Sequence, residues 1–192
     1  GPPHAGILHM YIHVVEMSDH PEKALGAADT LCGLVPDAGH LEHMPGHVYM
    51  LCGHYDRVIE VSARAIAADR KYLAHAGAGN FYTTARCHDL HLMMYAGMMS
   101  GRYQPAIEAA DEMIATLTPD LLRMKKPYMV VTLEGYHAKK MHVLVRFGRW
   151  HDIIATPLPE DRELYCVTTA MHRYARGAAQ SALGNIDAAE TE

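Results

Sequence analysis

A short pattern recurs along this chain and constrains its fold more than any other feature. It consists of a glycine, a variable residue, an aromatic residue, two variable residues and a small or apolar residue, at 53–58, 101–106 and 148–153. A weaker copy lies at 184–189, and an early copy at 19–24 lacks the glycine. The closing residues are 34, 48, 47 and 36 residues apart. Such spacing is typical of an array of similar structural units.

The physical chemistry of the pattern predicts a helical hairpin. Glycine adopts a left-handed backbone conformation at low steric cost, so it commonly ends a helix. The segment after the best copy then has helical periodicity, with Val58, Ser62, Ala65 and Ile66 on one stripe. The sequence therefore predicts an all-α fold in which pairs of helices meet at glycine turns.

With these features the chain resembles the tetratricopeptide repeat (TPR) family. The best match is the stretch at 53–69, GHYDRVIEVSARAIAAD. In the 34-residue register of that family, Ala24 and Val58 occupy the first small position of the second helix. Pro36 falls on the closing proline of its unit, whereas Arg70 replaces that proline in the next unit.

The resemblance implies a TPR-like α-solenoid of about five helical hairpins with a right-handed superhelical turn. The chain would form a single repeat domain over 1–192, with insertions of about fourteen residues before the third and fourth units, at 71–86 and 119–133. The fifth unit stops inside its second helix, so we expect the chain to be a fragment of a longer protein. The expected units lie near 5–36, 39–70, 87–119, 134–160 and 170–192.

Composition excludes several functional classes. The formal net charge of −5 provides no basic surface for nucleic acid. No apolar run approaches the 18 residues of a membrane span, so we expect no membrane partner. Four cysteines without a CxxC pair suit a reducing compartment, which favours a cytoplasmic location.

Histidine is the unusual residue of this sequence, and its placement suggests a function. The TPR resemblance implies that the first helix of each unit lines a concave groove at repeat positions 2, 5, 9, 12 and 13. Those positions hold eight of the fifteen histidines, whereas random placement would put about two there. The register was fixed by the second helices and not by the histidines. The eight are His9, His13, His40, His43, His47, His88, His91 and His142.

The spacing of these histidines predicts a metal site. Residues four apart share one helix face and can chelate one ion, as His9 and His13 would. Helices packed 8–10 Å apart let imidazoles from neighbouring helices reach a common centre. Glu16 follows His13 by three residues on the same face. The predicted metal ligands are His9, His13, His40, His43, His47, His88 and His91, enough for one well-filled site or two adjacent ones.

His43 and His47 form a second predicted pair four residues apart, and a proline interrupts it. Pro45 lies between His43 and His47 and is tolerated only in the first turn of a helix. We therefore expect the helix of the second unit to start near Met44 and the geometry of that pair to be approximate.

The ligand types limit the choice of metal. Copper, zinc and iron accept imidazole ligands, and the thioethers of Met50, Met98 and Met99 on the same groove would suit copper(I). One groove carboxylate is too few for a di-iron carboxylate site. The predicted order is copper, then zinc, then iron.

Each metal implies a reaction. Copper or iron in an open groove favours oxidation linked to O₂, and the chain would be a metal-dependent oxidoreductase. Zinc would favour hydrolysis, with Glu16 as the candidate general base. Tyr95 is the second candidate catalytic residue, as a proton donor or a substrate contact.

Two other functions remain open at this stage. In the first, the groove belongs to a non-catalytic scaffold that binds a peptide or protein, with histidines that supply polarity or a pH response. Alternatively, the chain would store or deliver metal without turnover. In each case the expected partner is a small molecule or peptide in the concave groove. The TPR clamp for peptide carboxylates needs lysine and asparagine at positions where this chain has histidine, so that ligand class is not supported.

Overall fold

Helices are the only regular secondary structure in the part of the chain that the structure describes. This part comprises residues 1–125 and 130–192 of a computed structural model. The predicted all-α class is therefore confirmed for these residues. No described helix is both long and apolar enough to cross a membrane.

The helices follow one another with short connections. A single 3₁₀ turn, Pro21–Ala24, precedes α2. The α-helices are α1 (Ala5–Glu16), α2 (Leu25–Leu31), α3 (Gly39–His43), α4 (Pro45–Leu51), α5 (Tyr55–Ala76), α6 (Tyr82–Met99), α7 (Tyr103–Thr116), α8 (Pro119–Leu122), α9 (Val130–His137), α10 (Lys139–Arg146), α11 (Trp150–Ala155), α12 (Cys166–Ala182) and α13 (Ile186–Thr191).

The glycines of the repeated pattern lie in turns between helices. Gly53 has φ +77°, Gly101 +72°, Gly148 +63° and Gly184 +81°. These angles lie in the left-handed region, where a side chain is strained and glycine is not. The predicted role of the pattern as a helix-ending turn is confirmed at all four positions.

The two central hairpins pack closely. Helix α6 contacts both α5 and α7. A Cβ atom added to Gly97 of α6 would lie 2.9 Å from the Cβ of Ala106 in α7, so the two backbones approach each other there. The insertion predicted at 71–86 lengthens two existing helices, since α5 continues to Ala76 and α6 begins at Tyr82.

The buried side chains form two clusters that meet along α5 and α6. One cluster joins α1, α2, α4 and α5 through residues such as Ile12, Val48 and Val58. The other joins α6 and α7 to the later helices through residues such as Leu90 and Met113. The predicted stripe on α5 is confirmed, because Val58, Ser62, Ala65 and Ile66 are all buried. This core packs α1, α4 and α6 together, and α3 contacts α5 and α6. The histidines of interest lie on α1, α3, α4 and α6.

Candidate metal centre

Six of the seven predicted ligands form two adjacent triads of imidazoles. Within each triad, one ligand atom from each residue lies within 4.8 Å of the others. Sets of this kind can hold a transition metal. The first triad consists of His9, His13 and His40, and the second consists of His43, His47 and His88.

The second triad is the tighter and more deeply buried of the two. The Nε2 atom of His43 lies 2.8 Å from Nε2 of His47 and 2.9 Å from Nε2 of His88. His43 is fully buried. Three ring nitrogens from α3, α4 and α6 therefore converge on one small volume.

The helix break at Pro45 does not separate the rings of His43 and His47. Met44 is both the C-cap of α3 and the N-cap of α4, and its backbone stays in the right-handed helical region. Pro45 opens α4 at the first helical position, where its missing N–H costs no hydrogen bond. The chain thus continues in nearly the same direction, which keeps the two rings on one face.

The first triad is more open to solvent. Nε2 of His9 lies 3.3 Å from Nε2 of His40, and the rings of His9 and His13 have centroids 4.7 Å apart. The side chain of His13 is 37% exposed. A small molecule from solution can therefore approach this triad more easily than the buried His43.

The two triads lie against each other. Ring centroids are 5.8 Å apart for His13 and His47, 5.9 Å for His40 and His43, and 6.3 Å for His40 and His88. These are the distances of neighbouring rings in contact. The six imidazoles form one continuous cluster.

The carboxylate of Glu16 contacts one imidazole of each triad, in both cases at Nδ1. Glu16 accepts a hydrogen bond from Nδ1 of His13 at 2.7 Å through one oxygen, and Nδ1 of His47 lies 2.6 Å from the other. An ionised carboxylate only accepts hydrogen bonds, so both Nδ1 atoms carry the proton. The Nε2 atoms of these two rings then keep their lone pairs for a metal. Carboxylate–histidine–metal arrangements of this kind orient ligands in many metalloproteins.

A second carboxylate supports the buried triad, and the sequence analysis missed it. Nδ1 of His43 lies 3.2 Å from Oδ1 of Asp89, and both side chains are fully buried. The two atoms are close, but they are not aligned for a good hydrogen bond. The available signal was an acidic residue in α6 between His88 and the apolar Leu90.

Asp89 belongs to a buried acidic network. Asp69 lies beside it and accepts a hydrogen bond from the hydroxyl of Tyr82 at 2.7 Å. Burial, and then the charge of Asp69, raise the pKa of Asp89 to about 9. In the metal-free protein at neutral pH, this carboxyl group therefore keeps its proton.

Burial also keeps five of the six imidazoles of the cluster neutral by lowering their pKa. Desolvation, followed by the charges of His9 and His88, lowers the pKa of His40 to about 4. Desolvation is the largest cause of a lowered pKa for His9, His43, His47 and His88 as well. Histidine must be neutral to bind a metal, so these rings are ready to do so at pH 7.

The remaining predicted residues lie outside the two triads. The ring of His91 belongs to neither triad and has its centroid 5.7 Å from that of Tyr136. Tyr95 follows His91 by four residues on α6 and is 44% exposed. His142 lies on α10 and lines a cavity together with His91.

Comparisons of the chain with models of known families, with curated proteins and with solved structures give no match. The geometry of the site is therefore the basis for inferring a function. Two sets of three imidazoles leave coordination positions open on any ion bound there, and open positions are typical of catalytic metals.

Proposed function

We propose that this chain binds two transition-metal ions side by side, one in each histidine triad, on a TPR-like helical scaffold. Copper is the first choice, followed by zinc and iron. With copper or iron bound, the chain acts as an oxidoreductase that uses O₂. The metal ligands are His9, His13 and His40 for one ion, and His43, His47 and His88 for the other.

The observation that carries the proposal is the meeting of three Nε2 atoms in the second triad. Because Glu16 holds the proton of His47 on Nδ1, the Nε2 atom of that ring directs a lone pair at its neighbours. A cation between the rings would accept such lone pairs, in place of the hydrogen bonds that the metal-free rings can form with one another. Zinc or copper bound at about 2.1 Å in a tetrahedral site keeps two nitrogens about 3.4 Å apart. The 3.3 Å between His9 and His40 in the first triad is close to that separation, whereas the 2.8 Å and 2.9 Å in the second triad would lengthen by about 0.5 Å on metal binding.

Two ions fit this cluster better than one. Two-metal sites hold their ions about 3.5–4 Å apart. Rings 5.8–6.3 Å apart across the boundary of the triads are compatible with neighbouring ions. A single ion could not take all six rings without drawing α1 and α6 together.

The ligand chemistry favours copper. All six proposed ligands are imidazole nitrogens, and both nearby carboxylates, Glu16 and Asp89, lie against Nδ1 atoms and not against the Nε2 atoms that converge. A di-iron or di-manganese site in a helical protein usually contains several carboxylate ligands. Among divalent first-row ions, copper also has the highest affinity for nitrogen ligands.

With two redox-active ions, the centre would carry out a two-electron oxidation. An organic substrate gives up two electrons and two protons, and O₂ accepts them to become hydrogen peroxide. With zinc, no electron transfer is possible and a metal-activated water would hydrolyse the substrate instead. In either case Glu16 orients His13 and His47, a role that its two contacts favour over that of a free general base.

Metal content is the direct test. The protein would be purified without a metal-binding tag, reconstituted with copper, zinc or iron in turn, and measured by elemental analysis. We expect two equivalents of one metal, and one equivalent after His9→Ala plus His40→Ala, which removes the first triad only. The matched control is His20→Ala plus His151→Ala, since both residues are exposed and lie outside the triads.

The alternatives predict different results. Two equivalents of copper without O₂ consumption on any substrate would indicate metal storage or delivery. No bound metal with any ion, together with an unchanged melting temperature on addition of a chelator, would overturn the proposal and favour a non-catalytic scaffold for peptides or proteins. Bound metal must stabilise the folded state, by about 2.7 kcal/mol at a hundred times Kd.

A further inference from the structure

A cavity adjoins the histidine cluster on the side of α6 that faces the later helices. Its volume of about 420 Å³ lies in the range of small-molecule sites. The walls come from α6, α9, α10 and α12. The side chains that matter are His91, Tyr136, Lys139, His142, Val167 and Met171.

The cavity lies one helical turn from the second triad. His91 lines it and follows the ligand His88 by three residues, so both lie on the same face of α6. The two rings are close enough for the charge of His88 to contribute to a lowered pKa of His91. A ligand in the cavity would therefore contact His91, one helical turn away from the proposed metal ligand His88.

The charge of the cavity is positive and unbalanced. Among the described residues that line it, Lys139 is the only lysine or arginine, and no aspartate or glutamate is present. No ion pair joins Lys139 to a carboxylate in the described ranges, whereas the next residue, Lys140, pairs with Asp111 at 2.6 Å. Burial, and then the charge of Lys139, lower the pKa of His91 to about 4 and also lower that of His142. Lys139 thus faces neutral groups inside the cavity.

The opposite wall is apolar. Val167 and Met171 are four residues apart on α12 and present one hydrocarbon face to the cavity. Val167 is 47% exposed, so its surface is free to be covered by a ligand. A molecule that complements both walls has a negative group at one end and an apolar body.

We infer that this cavity binds a small organic carboxylate, with the carboxylate on Lys139 and the apolar body against Val167 and Met171. The imidazoles of His91 and His142 and the hydroxyl of Tyr136 supply further hydrogen-bonding groups around the carboxylate. We further infer that this carboxylate is the substrate that the metal centre acts on. The second statement rests on the proposed metal centre, whereas the first is independent of it.

The binding test uses metal-free protein, so its result does not depend on the metal centre. Benzoate and hexanoate would be titrated by calorimetry, with benzamide as a neutral probe of the same shape as benzoate. A charge-assisted contact to Lys139 should make benzoate bind at least about tenfold more tightly than benzamide. Lys139→Met should abolish this preference, and Lys139→Arg should keep it. Lys140→Met is the matched control, since it removes an adjacent charge that is already paired.

Three outcomes separate the two proposals. If benzoate and hexanoate do not bind at millimolar concentration, or bind equally well to Lys139→Met, the cavity proposal is overturned whatever the metal content. If they bind through Lys139 but no metal binds, the cavity stands and the metal centre fails. When the protein holds copper(II), benzoate should alter the electron paramagnetic resonance spectrum of the copper in the wild type but not in Lys139→Met. An unaltered spectrum would show that the carboxylate is not the substrate of the centre.

Discussion

Glu16 contacts His47 across the boundary between the two triads, with 2.6 Å between one carboxylate oxygen and Nδ1. Its other oxygen is 2.7 Å from Nδ1 of His13. Because the two imidazoles belong to different triads, one carboxylate fixes the tautomer and the ring orientation on both sides. The two proposed metal sites are therefore coupled through a residue that binds neither ion.

Glu16→Gln should weaken metal binding at both sites without removing a ligand. The amide keeps the size of the side chain but has no charge and only one acceptor oxygen. One imidazole therefore loses its acceptor, and the other keeps only a neutral one. Loss of such a supporting contact typically costs about 10–100-fold in metal affinity. We expect this loss in a competition titration with a chelator, while the number of ions bound at saturation stays at two.

The matched control for Glu16 is Glu22→Gln. Glu22 also pairs with a histidine, His20, at 3.2 Å, but both side chains are more than half exposed. Its loss should leave metal affinity unchanged, because His20 is in neither triad. Equal affinities for Glu16→Gln and the wild type would contradict the orienting role of Glu16.

The sequence predicted the local features of this molecule better than it predicted the long-range contacts. The turn at Gly53 was predictable because a helix end depends on neighbouring residues only. The helical spacing also placed ligand candidates on the correct faces. Spacing alone could not divide them into two triads, since His88 and His91 on one turn of α6 have different neighbours. Asp89 was missed because its role depends on the packing of α6 against α3, far away in sequence.

Gly97→Ala tests the close packing of α6 and α7. The new methyl group would lie 2.9 Å from the backbone nitrogen and from the Cβ of Ala106, and 3.0 Å from the carbonyl oxygen of Arg102. Backbone atoms cannot move aside easily, so overpacking should lower the free energy of unfolding by about 1–3 kcal/mol. Chemical denaturation in urea would measure this loss.

The control for Gly97 is Gly26→Ala in α2. A Cβ atom at Gly26 would meet nothing within 4 Å. Alanine has the higher helix propensity, so this change should stabilise the protein by up to about 1 kcal/mol. If both changes stabilise the protein, the two helices are not as close as the structure places them.

The metal-free protein should lose stability in acid through its buried histidines. The pKa of His91 is lowered to about 4 in the folded state, whereas the unfolded chain takes up a proton near pH 6.5. Between these values the unfolded state binds more protons, so the free energy of unfolding falls as pH falls. Each such histidine contributes about 1.4 kcal/mol per pH unit.

His91→Gln isolates one of these contributions. Urea denaturation in the presence of a chelator, repeated from pH 6.5 to 4.5, should give a shallower decline for the variant than for the wild type. The residual slope comes from His40 and the other histidines with a lowered pKa. Parallel curves for the two proteins would mean that His91 is not held neutral by its surroundings.

Asp89 should change the free energy of unfolding with pH in the opposite direction to the histidines. Its pKa is raised to about 9 in the folded state, whereas an unfolded aspartate titrates near 3.9. Between these values the folded state holds the extra proton, so this group stabilises the metal-free protein most at low pH, and that stability is lost as pH rises towards 9. The slope for one proton is about 1.4 kcal/mol per pH unit. The comparison should be made as a difference between variant and wild type, because the contributions of the histidines then cancel.

Asp89→Asn has no carboxyl group to lose a proton, so it should gain stability relative to the wild type as pH rises from 5 to 8.5. The measurement is the difference in urea-unfolding free energy at each pH, with a chelator present throughout. Added metal should reduce the pH dependence of this difference, since an ion on Nε2 of His43 keeps a proton on Nδ1 and favours ionised Asp89 as its acceptor. A difference that stays constant with pH in the metal-free protein would show that Asp89 is ionised there, and that His43 and not the carboxyl group holds the shared proton.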